Sequence, residues 1–219
     1  MNKIFFTADL HFGHTNVLKH CPERPYACDG DIEAHDGWLL DLWKSTVDKK
    51  DDIYILGDLT FLKSDDARHL LEKLPGRKFL VEGNHDGSIR SYGNYFVSVN
   101  QILDVKFSPQ RAPILNDNLR VTMCHYPMVT WNHKPYGSIM LHGHCHGKLD
   151  EYNALAPDLR FDVGIDGYLS REAGRRNGDT HGMIPIELIY EEAVLKAKTS
   201  DFAAYASAYY RSAERQLKQ

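Results

Sequence analysis

No stretch of this sequence is apolar for the eighteen or so residues that a membrane-spanning helix needs, so no bilayer crossing is expected. An excess of positive charge is missing too. Lys and Arg number 26 against 30 Asp and Glu, and the formal net charge of −4 excludes a general basic field. Broad, sequence-independent binding to duplex nucleic acid is excluded with it. Cysteine is scarce, at Cys21, Cys28, Cys124 and Cys145. The opening Met1-Asn2-Lys3-Ile4-Phe5-Phe6-Thr7-Ala8-Asp9 reaches an acid too early for a signal-peptide core and reads as a strand. A cytoplasmic location with reduced thiols is therefore the expectation, and a disulfide framework is not. Internal repeats, low-complexity tracts and linker-like stretches are also lacking. The 219 residues then suit one domain with a substantial core.

Histidine is what the chain has in concentration. His125, His133, His142, His144 and His146 fall within 22 residues, the last three in Leu141-His142-Gly143-His144-Cys145-His146-Gly147. Neutral imidazoles converging on one point favour protons or a borderline cation such as Zn²⁺, Mn²⁺ or Fe²⁺. Glycines on both sides mark a turn where backbone comes close to something, with alternate side chains aimed at one face. A solvated loop is the plain alternative. Cys124 and Cys145 border the histidines, so a Cys/His structural zinc site is another, but it leaves the groups described next without a role.

Short β-branched and aromatic runs alternate with helical patterns. Strands are expected at Lys3–Ala8, Asp52–Leu56, Lys78–Val81, Tyr95–Val99, Gln101–Phe107, Arg120–Cys124, Ser138–His142 and Arg160–Val163. Helices are expected at Asp31–Val47 and at Ser64–Leu74, the second stopped by Pro75-Gly76. Residues 186–219 read as a helical C-terminal extension, serving as closing helices or as contacts in a homo-oligomer. Strand–helix–strand order in the first half and a strand-rich second half point to α/β layers with two packed sheets.

Acids and imidazoles stand at the strand ends. The first expected strand runs into Asp9-Leu10-His11, two residues whose side chains leave the same side of an extended chain. The next ends in Gly57-Asp58, the third in Glu82-Gly83-Asn84-His85-Asp86, and a later one delivers His125. Loops at the carboxyl ends of strands form the ligand crevice of α/β sheets, so these groups should converge. The mixed oxygen and nitrogen inventory exceeds the four or so ligands of one zinc ion. It suits two ions about 3.5–4 Å apart sharing a carboxylate, which together activate a water for in-line attack on phosphorus.

In this order the segments Asp9-Leu10-His11, Gly57-Asp58, Gly83-Asn84-His85-Asp86, His125 and Gly143-His144-Cys145-His146 resemble those of the calcineurin-like metallophosphoesterases. The wording Thr7-Ala8-Asp9-Leu10-His11-Phe12-Gly13-His14, with Arg24-Pro25-Tyr26 and His125-Tyr126-Pro127, is similar to a small bacterial and phage subgroup. The resemblance implies a four-layer α/β/β/α sandwich of two mixed sheets flanked by helices. It implies two divalent ions, Mn²⁺ favoured and Fe, Zn²⁺, Ni²⁺ or Mg²⁺ compatible. Asp9, His11 and His146 would hold the first, Asn84, His125 and His144 the second, and Asp58 would bridge them. His85 would face the scissile ester as hydrogen-bond donor or proton donor to the leaving oxygen, with Asp86 orienting its imidazole. The attacking group would be metal-bound hydroxide.

Other residues carry alternative readings. His14 suits phosphate contact or a loop cap, and His133, in Trp131-Asn132-His133-Lys134, suits a loop covering the substrate. Arg24 suits phosphate neutralisation or a surface salt bridge. His142 reads as a packed imidazole, by strand alternation. After Gly57-Asp58 the chain continues Leu59-Thr60-Phe61-Leu62, without the Asp-Arg-Gly by which the family's protein phosphatases grip a monoester. The expected substrate is therefore a small phosphodiester, of nucleotide or cyclic-nucleotide type, unless Arg24 or Lys134 replaces that arginine. A phosphomonoesterase, a metal-bound scaffold without turnover and a DNA nuclease are the alternatives.

Overall fold

A computed structural model describes residues 2–199, so the part of the tail expectation from 200 to 219 lies outside the described residues. The first sheet contains β1 (Ile4–Thr7), β2 (Asp52–Ile55), β3 (Arg77–Val81), β4 (Ser98–Asn100) and β9 (Ile184–Pro185). Its order is β4-β3-β2-β1-β9, parallel except for the edge pairing of β9 with β1. The second sheet is β5 (Ile102–Phe107), β6 (Leu119–Cys124), β7 (Ile139–His142) and β8 (Arg160–Asp162). There β5 and β6 run antiparallel, while β6, β7 and β8 are parallel.

Side-chain alternation sets the layers. From β1, Ile4 and Phe6 join Tyr54, Val121, Met123 and Leu141 in a core between the sheets. Phe5 leaves the opposite face and meets Ile53, Ile55 and Leu80 under two crossover helices. These are α2 (Ile32–Thr46), which contributes Leu39, Leu42 and Trp43, and α3 (Ser64–Lys73), which contributes Leu70 and Leu71. Asp31 starts α2 by accepting from Ala34 N at 2.9 Å. A short α1 (Val17–His20) lies between β1 and α2. On the second sheet, α4 (Asp150–Leu155) packs against β8, and its buried Asn153 donates to His142 Nε2 at 3.0 Å. Finally α5 (Tyr168–Arg176) and α6 (Ile186–Thr199) pack around β9. The result is the expected layered α/β sandwich of two mixed sheets flanked by helices. None of the helices, among the described residues, is long and apolar enough to cross a membrane.

Two strands differ from expectation: β9 falls in no expected strand, and β4 starts late. Residues 86–95 form 3₁₀ turns, and strand pairing begins only at Ser98 rather than at Tyr95. Ladder bonds resume where Val97 N donates to Lys78 O at 2.7 Å and Glu82 N to Asn100 O at 2.8 Å.

Candidate metal centre

Carboxyl ends of both sheets meet in one crevice, as the parallel strand directions require. The loop after β1 carries Asp9 and His11, that after β2 carries Asp58, and that after β3 carries Asn84 and His85. His125 follows β6, and His144 and His146 follow β7. Asp9, His11, Asp58, His144 and His146 all have left-handed backbones, with φ between 50° and 67°. Such conformations cost on the order of 1–3 kcal/mol each and persist where surrounding bonds hold them. Here Asp9 N donates to Gly57 O and His11 N to Asp58 O, both at 3.0 Å, extending the β1–β2 ladder past its end.

Asp9, His11 and His146 place ligand atoms within 4.8 Å of one another. Asp9 is fully buried; one of its oxygens accepts from His144 N at 2.8 Å and the other, Oδ1, has no hydrogen-bond partner. Both ring nitrogens of His11 are also buried without a hydrogen-bond partner. Burial, then the neighbouring Asp162, Asp58 and Asp166, pushes the Asp9 carboxyl well above the usual carboxylate range. Burial, then Arg24 and His146, pushes His11 down to about 2. A buried acid that resists ionising beside a His11 imidazole that resists protonation is a pairing that a divalent cation satisfies.

Asp58 sits between two groups of nitrogens. Its Oδ2 lies 3.7 Å from His11 Nε2 and 3.6 Å from His125 Nε2, while Oδ1 accepts from His85 N at 2.9 Å. His125 Nδ1–H donates to Leu56 O at 2.8 Å, which turns the Nε2 lone pair toward Asn84 Oδ1 at 2.9 Å. Two acceptors facing one another at that distance suit a shared cation. The His144 ring lies 5.1 Å from that of His125. Asp9, Asp58 and His125 form a second such cluster, Asn84 faces His125, and His144, which joins neither cluster, reaches the group by its ring beside His125; this donor set fits two cations. Close approach depends on glycine: a Cβ on Gly57 (φ +91°) would stand 2.4 Å from His125 Nδ1.

At the mouth, the His14 ring stacks on Phe61 at 3.8 Å, and His85 lies 4.7 Å from the same ring and 5.8 Å from His11. The structure therefore brings His14 and His85 to the crevice. His142 is fully buried, donates Nδ1–H to Gly143 O at 2.8 Å and is the packed imidazole expected. Cys124 and Cys145 belong to none of the ligand clusters found among the described residues, which weakens the structural zinc reading.

Three expected roles change. Arg24 is only 2% exposed and cannot meet substrate or form a surface salt bridge. Its guanidinium forks onto Asp166 and onto backbone carbonyls beneath the first ligands. His133 stands beside Tyr136 and lines a hollow with Asp104, Lys106 and Arg120, away from the strand ends that carry the ligands. Asp86 does not orient His85: Oδ2 accepts from Asp58 N and Gly83 N, both at 2.8 Å, and Oδ1 from Leu59 N at 3.1 Å. The next residue along the chain faces a different way, and the carboxylate holds the loops instead.

Two groups were not anticipated. Asp166 accepts from His146 Nδ1 at 2.7 Å, and Cys21 Sγ lies 3.4 Å from the same nitrogen. Burial opposes ionisation of Asp166, but Arg24, and then His146, overrides it and holds the carboxyl well below the usual range. A signal for Asp166 was present, since Asp162-Val163-Gly164-Ile165-Asp166-Gly167 follows a strand as the other acids do. Nothing in the sequence singled out Cys21.

No family model matches the chain. The Gene 66 protein of Mycobacterium phage L5 is 30% identical over 175 residues, covering 68% of this chain and 80% of that protein. That of phage D29 is 28% identical over 215 residues, covering 87% and 96%. A solved structure of a protein of unknown function from Aquifex aeolicus shares the fold, with a TM-score of 0.59 and 20% identity over 87% of this chain and 99% of that one. The uncharacterized protein MJ1445 of Methanocaldococcus jannaschii is 32% identical over 160 residues, covering 72% of this chain and 77% of that protein. The chain belongs to one family with the Gene 66 protein of phage L5 and this archaeal protein.

Proposed function

We propose that the protein is a calcineurin-like phosphoesterase, a hydrolase that acts on a phosphodiester with the help of two divalent ions. The observation that carries this reading is the convergence of Asp9, His11, Asp58, Asn84, His125, His144 and His146, with Asp9 Oδ1 and both His11 nitrogens buried and unbonded. When bound, the ions would supply an activated water and the charge that stabilises developing oxyanions, with Mn²⁺ the favoured metal. Asp9, His11 and His146 form the first position, Asn84, His125 and His144 the second, and Asp58 faces both. His85 stands at the mouth, with its backbone tied to Asp58 and its exposed ring beside those of His11 and Phe61. From there it would hydrogen-bond the phosphoryl group or protonate the leaving oxygen, a role worth roughly 10²–10⁴ in rate.

Preference for a diester, of nucleotide or cyclic-nucleotide type, rests on where the cations are. Arg24 is buried against Asp166, and Lys134 is buried against Asp158 at 2.9 Å with its ammonium over Trp131. Neither is placed to balance the second charge of a monoester. The test is hydrolysis of bis-p-nitrophenyl phosphate by Mn²⁺-loaded protein, alongside mono- and cyclic phosphoesters and supercoiled plasmid. Turnover lost on chelation and strongest for diesters is expected. Asp58→Asn should abolish it, and His85→Ala should lower it 10²–10⁴-fold while retaining both metals. Metal-replete His85→Ala at wild-type speed would remove that residue from the reaction. Metal uptake without turnover on any ester would favour a scaffold, and plasmid nicking a nuclease.

A further inference from the structure

We infer that Arg24 and Asp166 form a positioning pair that builds the first metal position from outside it, touching neither metal nor substrate. The inference rests on the dinuclear reading above. Arg24 Nε and Nη2 donate to the two oxygens of Asp166 at 2.7 and 2.6 Å. Nη2 also donates to Asp9 O at 2.6 Å, and Nη1 to Leu10 O at 3.0 Å. Those carbonyls belong to the turn in which Asp9 and His11 both take left-handed backbones. One guanidinium therefore holds the strained segment that presents two ligands. At its other end the ion pair reaches the third: Asp166 Oδ2 accepts from His146 Nδ1 at 2.7 Å. A carboxylate only accepts, so the imidazole proton lies on Nδ1 and the Nε2 lone pair is left for a metal.

Buried ion pairs seldom add net stability, because desolvation offsets their attraction. A pair this enclosed, spanning 142 residues of sequence, is better explained by what it places. Cys21, His146 and Asp166 could themselves hold a cation by distance alone. Asp166, however, already serves Arg24 and His146, and an ion there would face the guanidinium. The second position is braced differently, by Leu56 O on His125 and by Asp86 on the amides beside Asp58. Loss of the pair should therefore be selective.

The test uses the full chain with Mn²⁺. Asp166→Asn and Arg24→Lys are compared with wild type by bound metal per chain at fixed free Mn²⁺, by the exchange-coupled Mn pair signal in electron paramagnetic resonance, and by the ¹⁵N shifts of His146. The doubly neutral Arg24→Gln/Asp166→Asn chain is the deciding variant if a single one fails to fold. Expected is a fall from two ions to one, about 10–100-fold weaker affinity at one position, an uncoupled Mn²⁺ signal, and a His146 proton no longer confined to Nδ1. Folded variants that keep two coupled ions at wild-type affinity would overturn the inference alone. Parallel loss of both ions would overturn its assignment to the first position. Wild type taking up no metal would overturn the dinuclear reading and the inference together.

Discussion

The Asp86 carboxylate accepts from the backbone N–H groups of Asp58, Leu59 and Gly83, and so fixes the loop that presents Asp58. Charge-assisted bonds of this kind contribute about 1.5–3 kcal/mol each, and their loss leaves buried donors unpaired. Asp86→Asn keeps the shape but turns an N–H₂ against those amides. It should lower the unfolding free energy by about 2–4 kcal/mol in urea titration, and lower turnover through the displaced Asp58. An unchanged midpoint with slowed turnover would instead restore Asp86 to orienting His85. The residue types at the strand ends made the ligand set legible in the sequence, because each acid or imidazole ends an apolar run. Adjacency was a poorer guide. Asp86 follows His85 in sequence yet turns to the opposite loops, and only the fold shows that Arg24 meets an acid 142 positions away.

Among the elements, the turn after β2 concentrates the conformational demands. Gly57 has φ +91° and Gly83 lies across from it, so an added Cβ at Gly57 would meet His125 Nδ1 at 2.4 Å and Gly83 at 2.7 Å. Gly57→Ala should displace His125 from Leu56 O, weaken the second metal position and cost on the order of 1–3 kcal/mol. Gly37, inside α2, has nothing within 4 Å of its added Cβ and no positive φ. Gly37→Ala should stabilise by about 0.5–1 kcal/mol and leave metal binding unchanged. Parallel thermal melts and metal titrations of the two variants separate these outcomes; a neutral Gly57→Ala would mean that the turn relaxes freely. Strands β1, β2, β3, β6 and β7 were legible because apolar runs between turn residues mark buried parallel strands. Helices α4 and α5 were not, being short and largely polar outside a few buried positions. The two-residue β9 is too short to carry a period at all.

At the scale of the whole molecule, the ligands come from both sheets, so bound metal would add to the ties between two layers that already share an apolar core and bonds such as His125 Nδ1 to Leu56 O and His144 N to Asp9. The inter-sheet and helix–sheet cores contain none of the seven ligands, and the metal-free chain should keep its fold. Yet removing metal should lower its stability by mass action. Each position held at a hundredfold excess over its dissociation constant contributes about 2.7 kcal/mol, or about 5 kcal/mol for two. In a domain of this size about 1 kcal/mol moves the melting temperature by roughly 2–4 °C, so chelation should lower it by roughly 10–20 °C. Calorimetry in Mn²⁺ and in chelator checks the shift, and far-ultraviolet circular dichroism checks that secondary structure survives. Collapse of the dichroism on chelation would mean that metal organises the fold as a structural site does. Identical melts would mean that the crevice holds no metal, and the buried, unbonded atoms of Asp9 and His11 would then need another partner.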